Sequence, residues 1–187
     1  MLVQMNASRI KGLSPIELLV VVAVLGIVLA VATPSLTDLM NKRRVQLIAN
    51  ELSTDLAYAR SEGGLRNKRT GMTFRSSDTM SCYTIQVFLA ARGCDCTKGA
   101  GVACDGNIEL RTTQIPSLTG VSLVLGDAFV GEFKNLDFTA PLRIVEPAPS
   151  AIRVVGNRGY ILEVRISVLG RVLICSPDGK FGGVQPC

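Results

Sequence analysis

Apolar and polar positions divide the chain into three stretches. The first is a run without a charge from Leu18 to Thr37, twenty residues, about the number a helix needs to cross a ~30 Å hydrocarbon core. Beyond Pro34 the pattern changes. Leu36, Leu39, Met40, Val45, Ile48, Leu52, Leu56 and Ala59 recur at helical spacing, with Lys42, Arg43, Arg44, Asn50, Glu51 and Asp55 between them, as on an amphipathic helix. Read as one element, Leu13 to Glu62 is a helix of some fifty residues, roughly 75 Å long at 1.5 Å per residue. Its first half is apolar all round and needs lipid or other copies of itself around it. Gly26 and Pro34 weaken or kink it, and Gly63-Gly64 is expected to end it.

The third stretch, from Gly71 to Cys187, reads as β. Runs rich in Val, Ile, Thr, Phe and Tyr cover 72–75, 83–90, 108–115, 121–125, 133–138, 152–155, 161–168 and 172–174, punctuated by Gly, Pro, Asn and Asp. Leu162, Val164, Ile166 and Val168 alternate with Glu163, Arg165 and Ser167, the mark of a half-buried antiparallel strand. Leu169-Gly170 is expected to turn it into the next strand as a hairpin. A helix with one apolar face, followed by such strands, buries that face best against the sheet.

The flanks of the apolar run bear on its fate. The leader MLVQMNASRIKG carries Arg9 and Lys11, which favour a cytoplasmic N-terminus and place the rest outside. A conventional signal peptide shares these features, with Ala30-Val31-Ala32 as its cleavage site. Glu17 directly before the run, and the helical pattern that continues past Ala32, speak against that reading.

Gly12-Leu13-Ser14-Pro15-Ile16-Glu17-Leu18 resembles the prepilin leader of type IV pilins and type II secretion pseudopilins: cleavage after a Gly, a hydrophobic first mature residue, and Glu at the fifth mature position. Gly26 and Pro34 fall where that family carries its helix-loosening Gly and Pro. Glu51-Leu52 and Asp55 through Glu62, followed by Arg66-Asn67, look like the helix end of the GspH/FimT-type minor subunits. The resemblance implies an α+β type IV pilin fold, a long N-terminal helix with its first half transmembrane, packed on a C-terminal antiparallel sheet. It divides the chain into a cleaved leader 1–12, a transmembrane and assembly helix 13–35, and a periplasmic GspH/FimT-like domain 36–187. It also implies a prepilin peptidase that cuts between Gly12 and Leu13, N-methylation of Leu13, a single-pass place in the bacterial inner membrane, and other pilins or pseudopilins as partners in a filament or tip complex. Glu17 would then pair with the amine of a neighbouring subunit. A carboxylate in hydrocarbon costs about 2.5 to 3.5 kcal/mol on insertion scales, and a misplaced neighbour would leave it unpaired.

Six cysteines, Cys82, Cys94, Cys96, Cys104, Cys175 and Cys187, fall in the outer part, and an even number in an exported domain favours disulfides. Cys175 with Cys187 would pin a Gly/Pro-rich tail, worth roughly 3 kcal/mol in the chain-entropy model. Cys82 is expected to pair with one of the other three, and the sequence leaves open which. A Cys₄ zinc site competes, but Cys94 and Cys96 stand closer than the usual CxxC ligand pair.

Composition narrows the chemistry. The chain has 20 Lys+Arg, 15 Asp+Glu, no His and no Trp, so Ser-His-Asp and Cys-His catalysis are excluded. No enzyme activity, cofactor or metal is expected. Basic residues gather in two places: residues 42–75 carry eight basic and three acidic groups, and 143–187 carry six and three. Arginine-rich patches bind phosphates without reading sequence. Some FimT-like minor pilins are implicated in DNA uptake through a Gly-Arg-x-Arg motif, and here Gly170-Arg171-Val172-Leu173 lacks the second arginine. Non-specific DNA contact through Arg158, Arg165 and Arg171 therefore stands beside the plainer reading of a solvated sheet face. The function classes that remain are a minor type IV pilin in pilus assembly and priming, a DNA-uptake module for natural transformation on the same frame, and a minor GspH-like pseudopilin of a type II secretion system.

Overall fold

The structure, a computed structural model, describes residues 14–90, 93–129, 134–139, 144–146 and 150–187. The chain forms two compact units, Met1–Leu39 and Met40–Cys187. Helix α1 spans Pro15–Arg66. Nine strands follow among the described residues: β1 Thr70–Ser76, β2 Met80–Val87, β3 Ile108–Pro116, β4 Val121–Leu125, β5 Lys134–Thr139, β6 Ile144–Glu146, β7 Ser150–Gly156, β8 Ile161–Ile166 and β9 Val172–Cys175.

In the first unit the described residues are helical from Pro15 onward, and every large apolar side chain from Ile16 to Leu29 is at least half exposed. Here the expected fold needs correction. Among the described residues no helix is long and apolar enough to cross a membrane.

The second unit has its own core. Val45, Ala49, Leu52, Leu56 and Ala59 form one fully buried stripe of α1, and they pack with residues of both sheets, Met72, Phe74 and Ile85 from one, Ile152, Val154 and Val164 from the other. Leu36, Leu39 and Met40 continue the same spacing but stay exposed.

The single sheet expected to receive the helix is likewise corrected. The strands make two antiparallel sheets, one of five strands ordered β3-β2-β1-β5-β6 and one of four ordered β4-β7-β8-β9. The description as α+β with one sheet and a pilin-type spanning helix therefore fits only in part. The chain changes sheets at Pro116, which ends β3, through a 3-10 turn Ser117–Thr119 closed by Gly120 at φ 71°. Within the five-stranded sheet, Gly71 is required by close approach, because a Cβ there would lie 2.1 Å from the Leu136 carbonyl oxygen.

Two local expectations also change. Gly63-Gly64 does not end the helix, which continues to Arg66 and stops at Asn67, φ 50°. Gly63 is buried, and the Thr70 side chain of β1 lies 3.4 Å from where a Cβ would stand, an ordinary contact distance. The β8–β9 turn is one residue longer than expected: Ser167 N–H donates to the Arg171 carbonyl at 3.0 Å, leaving Val168-Leu169-Gly170 as the loop, with Gly170 at φ 72°. That is the three-residue hairpin with its last position left-handed.

Candidate functional site

Three features carry chemistry: the apolar helix of the first unit, the helix motif of the second, and the arginines of the four-stranded sheet. Glu17 sits in the first turn of α1 and is exposed, where the helix dipole favours a carboxylate. Gly26 lies inside the helix with open space where a Cβ would stand, and the helix runs on through Pro34. Gly12 and Leu13, the expected cleavage and methylation positions, lie outside the described residues.

The second motif turns out to hold the architecture together. Asp55, which the spacing places among the polar residues, is fully buried in the core stripe. Its carboxylate accepts a hydrogen bond from Tyr83 Oη at 2.8 Å and another from the Arg111 guanidinium. It thereby ties α1 to β2 and β3. Burial, with the Asp55 charge beside it, pushes the Tyr83 phenol far above its ordinary value, and the hydrogen bond to Asp55 raises Arg111. Five residues on, Arg60 Nη1 donates to the Gly170 carbonyl at 3.3 Å and so ties α1 to the β8–β9 turn. The sequence signal for Asp55 was its place between Leu52 and Leu56, on the buried side of the helix.

The disulfides are Cys82–Cys96, Cys94–Cys104 and Cys175–Cys187. All six cysteines are paired, which leaves no thiolate to hold zinc. The first two staple the 93–107 segment over the outer face of β2, whose residues from Ser81 onward are buried on both sides. Buried Gln86 organises that cover: its amide nitrogen donates to Thr73 Oγ1 at 2.6 Å and its carbonyl oxygen accepts from Cys94 N–H at 3.0 Å. Glu109 accepts from the Gly101 and Ala103 amides at 2.8 and 3.1 Å. Burial would raise its carboxyl, but these bonds and one from Thr112 outweigh it and hold the group below its ordinary value.

The arginines proposed as DNA contacts are not brought into one patch. Arg165 on β8 gives its Nε to Glu163 at 2.6 Å and its Nη1 to the main-chain oxygen of Cys187 at 3.0 Å. Arg153 donates to the same carboxylate at 3.0 Å. Buried Glu163 is thus held below the ordinary carboxylate value by both guanidiniums, against the opposing pull of burial. Arg158 lies in the 157–159 turn before β8, with φ 59°, and Arg171 lies beyond the far end of that strand. About 17 Å of strand separates those ends. Only Arg165 and Arg171 share one end of the sheet.

No protein-family model, no curated protein and no solved structure matches this chain.

Proposed function

We propose that the chain is a minor subunit of a type IV pilus-like filament and contributes to filament assembly and priming through its N-terminal helix. The observation that carries the reading is the helix of the first unit, where each large apolar side chain from Ile16 to Leu29 is exposed and Glu17 is the single charged residue between Leu13 and Thr37. A helix apolar on every side requires apolar neighbours, and copies of the same helix in related subunits supply them. The leader-like run from Gly12 to Glu17 supports the reading. So do three disulfides in the outer unit, which suit an oxidising compartment such as the periplasm. Among the described residues Arg158, Arg165 and Arg171 do not gather in one patch, so DNA uptake is not part of the proposal.

The test is N-terminal sequencing of the protein recovered from sheared filaments. A chain that begins at Leu13 is expected. A chain that begins at Thr33 means the helix has been removed as an export signal, and the proposal falls. A deletion strain is expected to lose twitching while protein secretion continues.

A further inference from the structure

The seam between α1 and the outer edge of β9 holds two open cavities in a row, bounded at one end where Arg60 donates to the Gly170 carbonyl; together they form a trench. β9 is the last strand of its sheet, so one of its edges lacks a strand neighbour. Hydrogen bonds at its two ends fix which residues face that edge. The Arg171 carbonyl points to β8, where it accepts from Ser167 N–H at 3.0 Å. Ser176 points the other way: its N–H donates to the Gln185 carbonyl at 2.9 Å, and its carbonyl accepts from Cys187 N–H at 3.3 Å. Backbone groups alternate in direction along a strand, so Val172 and Ile174 face outward with Ser176. Among the described residues neither finds a backbone partner on that side. The tail touches the edge as a parallel bridge from Ser176 to Pro186, and Gly183, Val184 and Gln185 form a wall of the cavity beside Ile174. An unpaired edge of this kind is a template for another strand.

Opposite this edge runs a helix stripe distinct from the one that fills the core. Arg43, Gln46 and Asn50 line the first cavity with Ile174 and the tail residues Val184 and Gln185, and Ser53, Ala57 and Arg60 line the second with Val172. Steps of three and four put these residues on one face. All but the two arginines are small or uncharged, which leaves room for a chain. Val172 and Ile174 are packed against the core and give the trench an apolar floor. Its ends are cationic: Arg43 stands at one and Arg171 at the other, and among the described residues neither forms an ion pair with an acidic side chain. Arg43 to Arg60 covers about 26 Å of helix, the length of roughly eight residues of extended strand.

We infer that the trench binds an extended acidic peptide segment of a partner protein by strand addition to β9. The Val172 and Ile174 backbone forms the new ladder, and Arg43 and Arg171 receive carboxylates near the two ends of the segment. The inference rests on this seam alone and is independent of the filament reading.

The probe is the capped octapeptide Asp-Glu-Val-Thr-Val-Thr-Glu-Asp, with Asn-Gln-Val-Thr-Val-Thr-Gln-Asn as its uncharged counterpart, added to the full chain. Binding is read by fluorescence anisotropy and by amide hydrogen exchange. The acidic peptide is expected to bind about tenfold or more tightly than the uncharged one, and to slow exchange at Val172 and Ile174. Arg43→Glu and Arg171→Glu are each expected to weaken binding about tenfold without a change in Tm. Ile174→Pro removes the outward N–H alone and is expected to abolish binding; because it also constrains the backbone, exchange in the unmutated protein decides the matter. No binding at millimolar peptide, equal binding of the uncharged peptide, or protection confined to other strands overturns the inference.

Discussion

At Asp55 the buried stripe of α1 carries a carboxylate, between the core residues Leu52 and Leu56. Desolvating it is costly, and Tyr83 and Arg111 offset this, each donating to one of its oxygens. Truncation to alanine removes the acceptor of the Tyr83 hydroxyl proton at a buried position with little water to replace it. Asp55→Ala is therefore expected to destabilise the second unit by about 2–4 kcal/mol, read as a shift in the urea midpoint with the slope unchanged. The same site gives a pH prediction. The Tyr83 pKa is raised in the folded state from an ordinary value of 10.0, so above pH 10 the unfolded chain releases a proton that the folded chain keeps. Stability from this group is complete below pH 10 and falls as pH rises beyond it. In a phenolate titration at 295 nm, one of the three tyrosines should stay silent until the protein unfolds. Tyr83→Phe should flatten the alkaline decline, and a decline of unchanged steepness would place its origin elsewhere. On the acid side the sign reverses. Glu163 and Glu109 are held below their ordinary 4.5, so the stability they give is present above that value and fades as pH falls through it.

Among the elements, close approach sets tolerances that a strand pattern does not display. Gly71 lies on β1 where β5 passes, with 2.1 Å between the position of a Cβ and the Leu136 carbonyl. Gly71→Ala must push the two strands apart and is expected to cost about 3 kcal/mol, toward the upper end for overpacking. Amide exchange should show the loss first at Leu136 and Phe138 of β5, before β2 and β3 are affected. Most strands were legible because a buried face repeats every second residue, as in Leu162, Val164 and Ile166. β6 was not, since Ile144–Glu146 offers three residues between Pro141 and Pro147, too few for a period to register. The helix end was misplaced because Gly63-Gly64 carries a stop signal in isolation, whereas the buried contact with Thr70 uses Gly63 as a packing position. The division into two sheets depends on contacts far apart in sequence, which local spacing does not encode, whereas Cys94, Cys96 and Cys104 lie so close together in the chain that spacing does not choose among them as the partner of Cys82. The candidate peptide trench escaped for the same reason: Gln46, Asn50 and Ser53 read as an ordinary polar helix face until β9 is set beside them.

Across the whole molecule the two units differ in what satisfies their apolar surface. Every buried apolar residue among the described ones lies between Val45 and Phe181, so the second unit closes its core without the first. A fragment of residues 40–187 is accordingly expected to fold with all three disulfides and to sediment as a monomer. The first unit has no such closure, and its exposed residues from Ile16 to Leu29 give the full chain a strong tendency to self-associate. Under the filament proposal, this association must also have a register, which a uniformly apolar helix cannot supply. Glu17 can supply it, because a carboxylate moved into an apolar bundle is tolerated only where a positive group meets it. Glu17→Ala should therefore leave export and the folded second unit intact, shown by an unchanged disulfide pattern, while the amount of protein in sheared filaments drops at least tenfold. Unchanged incorporation would mean that apolar contact alone sets the register.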